Sequence, residues 1–261
     1  MKPEVIEAGA PGGELERLLA LQHHDPHAIL GAHHEGQRIV VRAFRPGARR
    51  IELLVPGDAP RPMQMRDPAG LFEAAVEGRS SIFPYQFEIH YPDGESITIH
   101  DPYSFMPTLG DLDLHLWGEQ KDDRAYDKLG AHVREVAGVG GVSFAVWAPN
   151  ARGVSVVGDF NRWDGRVHMM RTLGSSGVWE LFIPDVGAGF NYKYEIRTRD
   201  GGLLLKSDPF AQRMEAPPAT ASVVFQSSYE FHDAEWLAER DRKSTRLNSS
   251  HAITSRMPSS A

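Results

Sequence analysis

The residues of this sequence best suited to chemistry are gathered in one stretch, Gly158-Asp159-Phe160-Asn161-Arg162-Trp163-Asp164-Gly165. A large flat ring, Trp163, stands there among amide, guanidinium and carboxylate groups. That combination suits a sugar, whose ring has apolar C–H faces and a rim of hydroxyls. Further along, Tyr192, Tyr194 and Ile196 alternate with Lys193, Glu195 and Arg197. One face of a strand would then carry Lys193 as a donor to sugar hydroxyls. The candidate carbohydrate-binding residues are therefore Trp163, Asn161 and Lys193. The competing reading makes Phe160 and Trp163 core residues that close one end of a sandwich, and Lys193 part of a solvated sheet face.

Other chemistries find less support. Five histidines come early: His23, His24, His27, His33 and His34. Their spacing fits no compact zinc ligand set, so turn capping and interdomain hydrogen bonds are the expected use, with no metal. Acidic residues are plentiful, but none stands in a recognisable enzyme motif. No Gly-rich phosphate loop and no nucleophile elbow are present, and no cofactor is expected. With no cysteine there is no disulfide framework and no thiolate chemistry, which is compatible with a reducing compartment. A formal net charge of −7 argues against nucleic-acid and anionic-membrane partners, which need a basic footprint. The opening residues carry no apolar core of a secretory signal, and no apolar run reaches the ~18 residues of a membrane span. A cytoplasmic monomer is the resulting expectation.

The elements that would position these residues are mostly strands. Residues 1–13 read as a loose leader rich in Gly and Pro. Glu14 to His23 is helical in pattern, with Leu15, Leu18 and Leu19 on one face, and Asp25-Pro26 ends it. So short a helix must dock on something to be stable. Ile39–Phe44, Arg50–Val55, Leu71–Val76 and Tyr85–His90 read as strands, and Ile97 and Ile99 open a return strand after the Pro92-Asp93-Gly94 turn. In the second half Val142, Phe144 and Val146 alternate, a Pro149-Asn150 turn follows, and Val154 and Val156 alternate again before the Trp163 loop.

The same events occur twice, as in a duplicated module. Leu30-Gly31-Ala32-His33 recurs as Leu129-Gly130-Ala131-His132, and Val41 to Ala48 as Phe144 to Ala151. Tyr85-Gln86-Phe87-Glu88-Ile89 recurs as Tyr192-Lys193-Tyr194-Glu195-Ile196, and Asp101-Pro102-Tyr103 as Asp208-Pro209-Phe210. Each copy has the ~100 residues of an immunoglobulin-like sandwich. The expected fold is all-β: two tandem immunoglobulin-like β-sandwiches with a short N-terminal helix and a disordered C-terminal tail. The first module takes residues 14–106 and the second 128–228. Between them, residues 107–127 form a connector in which Leu112, Leu114 and Leu116 alternate with charged residues, an ordered strap on one or both sandwiches. Residues 229–242 begin a linker with one or two short helical turns near its end. Residues 243–261, rich in Ser and Thr without apolar periodicity, are expected to be disordered. Where the second copy has its Trp163 loop, the first has Val55-Pro56-Gly57-Asp58-Ala59, without an aromatic. That contrast favours a sugar-facing Trp163.

These motifs resemble a known family. His23-His24-Asp25-Pro26-His27-Ala28-Ile29-Leu30-Gly31, Val41 to Ala48, and the connector from Asp101-Pro102-Tyr103 to Leu116 are similar to the amino-terminal module of bacterial 1,4-α-glucan branching enzymes. The second copy, with Phe144 to Ala151 and Gly158-Asp159-Phe160-Asn161-Arg162-Trp163, resembles a family-48 carbohydrate-binding module, a motif shared with isoamylases and kinase glycogen-binding subunits. The resemblance covers about residues 14–242. It implies glycogen biosynthesis: an α-1,4-glucan, glycogen or a linear maltodextrin, is cleaved through a covalent glycosyl-enzyme and rejoined as an α-1,6 branch. It also implies that the catalytic carboxylates stand on a (β/α)₈ barrel of ~250 residues, to which no position here corresponds. The chain would thus be an amino-terminal fragment, inactive alone, and residues 243–261 resemble a foreign read-through tail. By the same resemblance Trp163 is a stacking aromatic and Lys193 a hydrogen-bonding lysine. A second stacking tryptophan of kinase-type modules is replaced here by Gly202 and Leu203, so glycan binding should be weak.

Overall fold

The computed structural model describes residues 12–230 and 232–237. A helix, α1 (Gly12–Leu19), leads into the first set of strands. These are β1 (Gly31–Glu35), β2 (Arg38–Phe44), β3 (Arg50–Leu54), β4 (Arg61–Pro62), β5 (Gln64–Asp67), β6 (Leu71–Glu77), β7 (Gln86–His90) and β8 (Ser96–His100). They form two antiparallel sheets in the orders β1-β2-β6-β5 and β4-β3-β7-β8. Alternation decides which face turns inward. Ile39, Val41 and Ala43 of β2 meet Ile51 and Leu53 of β3 and Phe87 and Ile89 of β7 in one buried cluster.

The second sandwich repeats the plan. Its strands are β9 (Gly130–Val136), β10 (Val139–Trp147), β11 (Ala151–Gly158), β12 (Arg171–Thr172), β13 (Val178–Pro184), β14 (Asn191–Thr198), β15 (Leu203–Lys206) and β16 (Ser222–Val223). One sheet runs β12-β13-β10-β9; the other runs β11-β14-β15, with β16 also on β14. The triplets β1-β2-β6 and β9-β10-β13 correspond, as do β3-β7-β8 and β11-β14-β15. The all-β class and the tandem duplication expected from the sequence are what the chain forms.

The repeated residues build the same local device in each copy. Gly31 and Gly130 both have positive φ, +90° and +101°. A Cβ on either would strike the carbonyl of Tyr103 or Phe210, at 2.8 and 3.1 Å. His33 and His132 each donate from Nε2 to the carbonyl of the leucine three residues back, Leu30 and Leu129, both at 2.9 Å. The Tyr85 hydroxyl donates to Asp101 Oδ2 at 2.6 Å, and the Tyr192 hydroxyl to Asp208 Oδ2 at 2.5 Å. The other carboxylate oxygen accepts from the backbone N–H of Tyr103 or Phe210. Burial pushes both aspartates up from the usual carboxylate range, and the tyrosine bonds pull the other way.

The two sandwiches interlock within one unit that ends at Gln226. Leu18, Leu21, Ile29 and Tyr103, all before the connector, share a buried cluster with Phe144, Trp179 and Tyr192 of the second sandwich. The helix expected to belong with the first module thus docks on the core of the second. The Tyr103 hydroxyl accepts from the Met169 N–H at 3.0 Å, and the His24 carbonyl from the Thr172 N–H at 2.8 Å. Thr108 donates twice to Glu180, which is fully buried and also holds Arg171. His23 bonds to Glu14, and the His24 ring lies 5.9 Å from that of Trp179. Of the early histidines, His24 thus serves the module joint, whereas His23 and His33 bond to Glu14 and Leu30.

Two expectations need correction. The helix begins at Gly12, inside the supposed leader, where Gly12 and Gly13 are followed at once by the Glu14 side chain and the Leu15–Leu18 stripe. The connector packs on the second sandwich, and its middle is a helix, α2 (Asp111–Gly118), where the alternation of leucines suggests an extended segment. Asp113 accepts from the Gly110 N–H and fixes its start. Leu114 and Trp117, three apart, pack on Leu109, Leu129 and Leu173, whereas Leu112 is left exposed. The linker begins a second unit at Ser227, whose described part has one helical turn, 234–237. The foreign-tail expectation lies outside the described residues.

Two predictions follow from burial. Tyr85→Phe should cost more stability than Tyr192→Phe in urea unfolding, within about 1–3 kcal/mol, because Asp208 Oδ2 also receives the Tyr194 hydroxyl at 3.3 Å. The second concerns His27, whose ring nitrogens are both buried without a hydrogen-bond partner. Burial, then the Arg171 and His33 charges, push its pKa down from 6.5 to about 2. The folded value lies below the unfolded one, so the unfolded chain takes the proton first. The stability this neutral ring permits is complete above about pH 6.5 and is lost as pH falls below it. His27→Leu should therefore gain on the parent as pH is lowered from 7.5 to 5.5, by up to about 1.4 kcal/mol per pH unit below 6.5; a gap that does not change with pH would contradict this.

Candidate carbohydrate-binding surface

The Trp163 loop leaves β11 at Gly158 and turns sharply. Asn161 is buried, and its side chain makes the turn. Its Oδ1 accepts from the Gly158 N–H at 2.9 Å, and its Nδ2 donates to the Val156 carbonyl at 2.8 Å and to His168 Nδ1 at 3.0 Å. Both amide protons are thereby used. His168 is buried, and burial with the nearby Arg45 charge holds its pKa well below 6.5, so its Nδ1 stays an acceptor. Asn161 therefore scaffolds the loop, with both amide protons spent on its own sandwich. The reason is geometric: an amide three residues after the strand end reaches back to the backbone more readily than out to solvent.

Phe160 points inward, with its ring 5.8 Å from Phe144 and 5.7 Å from His168. Trp163 does the opposite. Arg162 and Trp163 both adopt left-handed backbone, φ 55° and 61°, which ejects the indole outward and leaves it 39% exposed. This conformation is costly for non-glycine residues and is held by its surroundings. Asp159 supplies part of the hold: its Oδ1 accepts from the indole Nε1–H at 3.1 Å and its Oδ2 from the Asn191 N–H at 3.1 Å. In the sequence, Asp159 is marked only by its spacing of four from Trp163.

Lys193 lies opposite Val157 in the β11–β14 ladder. Its Nζ donates to Thr220 Oγ1 at 2.7 Å, which leaves two ammonium protons for other acceptors. Glu195, two residues on and on the same face, abuts Gly165, where a Cβ would collide with its carboxylate. The end of the Trp163 loop thus rests on the face that carries Lys193. On that face the register continues from Glu195 to Leu205 and from Arg197 to Leu203. Leu203 and Leu205 are more than half exposed, and Leu204 is exposed too. The sequence signal for them is three consecutive apolar residues on an edge strand, which cannot all face inward. Among the described residues, Glu52, Glu88 and His90 bring potential metal ligands within 4.8 Å of one another, on the first sandwich and apart from this surface.

Comparison with known proteins accords with this geometry. Residues 12–103 match the family of the N-terminal domain of alpha-1,4-glucan branching enzyme GlgB, and residues 128–211 match carbohydrate-binding module 48, the isoamylase N-terminal domain. The two matches follow one another along the chain, one on each sandwich. Curated relatives match over most of this chain. The 1,4-alpha-glucan branching enzyme of Myxococcus xanthus is 51% identical over 232 residues, 88% of this chain and 32% of that protein. That of Mycolicibacterium paratuberculosis is 48% identical, over 87% of this chain and 31% of its own length. This branching-enzyme-like chain therefore spans about a third of the length of the curated relatives it matches. Among solved structures, a pullulanase from Anoxybacillus sp. LM18-11 aligns over 76% of this chain and 26% of its own, at 17% identity and a TM-score of 0.33, too low to add anything. Among the described residues no helix is long and apolar enough to cross a membrane.

The loop geometry separates two substitutions that look alike in sequence. Asn161→Ala should cost about 2–3 kcal/mol, since it strands buried polar partners. Asp159→Ala, at the surface, should leave the melting temperature nearly unchanged and move only the Trp163 indole N–H signal in an NMR spectrum, with faster exchange to solvent.

Proposed function

We propose that the chain is the amino-terminal part of a 1,4-α-glucan branching enzyme, and that in glycogen synthesis its second sandwich holds an α-glucan weakly while its first sandwich and connector brace that module. Catalysis belongs to a barrel that this chain does not include, so the chain alone should form no branches when tested by iodine staining. The observation that carries the binding reading is the outward Trp163 ring, clamped by Asp159 on a loop that rests on the Lys193 face. In this reading the indole stacks on the apolar side of a glucose unit, Lys193 donates to a hydroxyl, and the exposed leucines of β15 extend the apolar shelf. The protein works in the cytoplasm as a monomer.

One ring contributes about 1.5–3 kcal/mol on burial, which matches a millimolar site better than a tight one. The chain should migrate more slowly in native gels that contain glycogen, and Trp163→Ala should abolish most of that retardation, a loss of roughly 10- to 100-fold in affinity. A scaffold reading, with no glycan binding, is favoured by Leu203 and Leu205, whose exposure also suits a packing face. Unchanged migration of the unsubstituted chain would select it.

A further inference from the structure

A cleft of about 700 Å³ lies between the two sandwiches, on the other side of the Trp163 loop. Of the six residues from Asp159 to Asp164, all but Trp163 line it. The loop is thus a partition, with the indole turned away from the cleft. The facing wall comes from the first sandwich, where Tyr91, Ile97 and Ile99 flank the β7–β8 turn. The three are half-buried, so each still presents apolar surface. Phe190, 38% exposed, adds a ring from the second sandwich, edge-on to Phe160 at 6.0 Å.

Two inter-module bridges fix the separation of the walls. Arg162 pairs with Glu95 and lies over the Tyr91 ring, 5.6 Å from its centroid. Asp185 accepts from the His100 N–H and meets its imidazole, both at 3.0 Å. A volume of this size fits a short oligomer rather than a single small ion. The charges select among ligands. Asp93, Glu95, Asp159, Asp164 and Asp185 line the cleft against Arg45 and Arg162, so an anion such as a sugar phosphate is repelled. Rings and branched aliphatic groups with a rim of acceptors suit a neutral polyhydroxylated chain.

We propose that this inter-module cleft is a second α-glucan site, built jointly by both sandwiches and separated from the Trp163 surface by the loop itself. Its ligand class rests on the glucan reading above, whereas its location does not. A single loop would then hold one chain segment on each side, and Arg162 would couple the sides by fixing the partition to the first sandwich.

The test is an amide NMR titration of the full chain with maltoheptaose. The Glu95, Ile97, His100, Asp185 and Phe190 amides should shift in a saturable way, and should still do so in Trp163→Ala. Phe190→Ala and Tyr91→Ala should weaken that set at least tenfold and leave the Trp163 indole response unchanged. If either variant loses its dispersed spectrum, Ile97→Thr on the exposed edge of β8 replaces it with the same expectation. Should the indole respond while the cleft amides stay still, the cleft proposal falls and the surface reading stands. Should neither respond, both fall. Cleft shifts that survive all three cleft substitutions would also overturn the proposal.

Discussion

Each sandwich is closed by a buried aspartate that receives a tyrosine hydroxyl. Asp101 and Asp208 are taken out of water, which is expensive for a carboxylate, and the cost is offset by hydrogen bonds from Tyr85 and Tyr192 and by a backbone N–H two residues on. An unpaired buried carboxylate would be far worse than no carboxylate. The pair therefore acts as a condition: the chain after β8 and after β15 must turn back over the sandwich at one place. Gly31 and Gly130 lie under that returning chain, against the Tyr103 and Phe210 carbonyls, in left-handed backbone that strains any other residue type. In the first copy the latch has a further consequence. It delivers Tyr103 to the module joint, where its hydroxyl meets Met169, at the far end of the segment that carries the Trp163 loop.

The loop is therefore held from three directions. Asn161 and His168 tie it to its own sandwich, Asp159 ties the indole to Asn191, and Arg162 ties it to Glu95 of the first sandwich. Two consecutive left-handed residues need such over-determination. An exposed ion pair such as Arg162–Glu95 adds little to stability. Its importance is positional, because it crosses between modules. The division of labour among neighbours is sharp: Phe160 is core, Asn161 is scaffold, Arg162 faces the other module, and Trp163 faces solvent. A strongly turned backbone is what sends four successive side chains to four different environments.

This explains how far the candidate site could be read in advance. The outward placement of Trp163 and Lys193 is legible, because a loop aromatic absent from the sister copy and the alternation of a strand are both patterns along the chain. The inward turn of Asn161 is not legible, because an amide can serve backbone or ligand equally well and only the turn decides. Asp159 went unnoticed for the same reason: its value lies in reaching Trp163 and Asn191 together. The connector failed differently. Leu112, Leu114 and Leu116 have the period of a strand, but the Asp113 cap and the Leu114–Trp117 spacing fit a helix, and docking on Leu109, Leu129 and Leu173 decided between them.

The sequence by itself determined the two-fold repetition, the all-β class, most strand positions and the place of the Trp163 loop. These depend on residue types at short, fixed spacings, where steric alternation and turn chemistry act locally. Tertiary structure alone decided that α1 serves the second core, that Asn161 faces inward, and that Leu203 to Leu205 lie exposed. It also created the cleft between Tyr91 and Phe190. The docking of α1 and the cleft depend on groups far apart in the chain being brought into contact, and no local pattern specifies which distant surface a residue will meet; the Asn161 turn depends on how its own loop closes on Val156, Gly158 and His168.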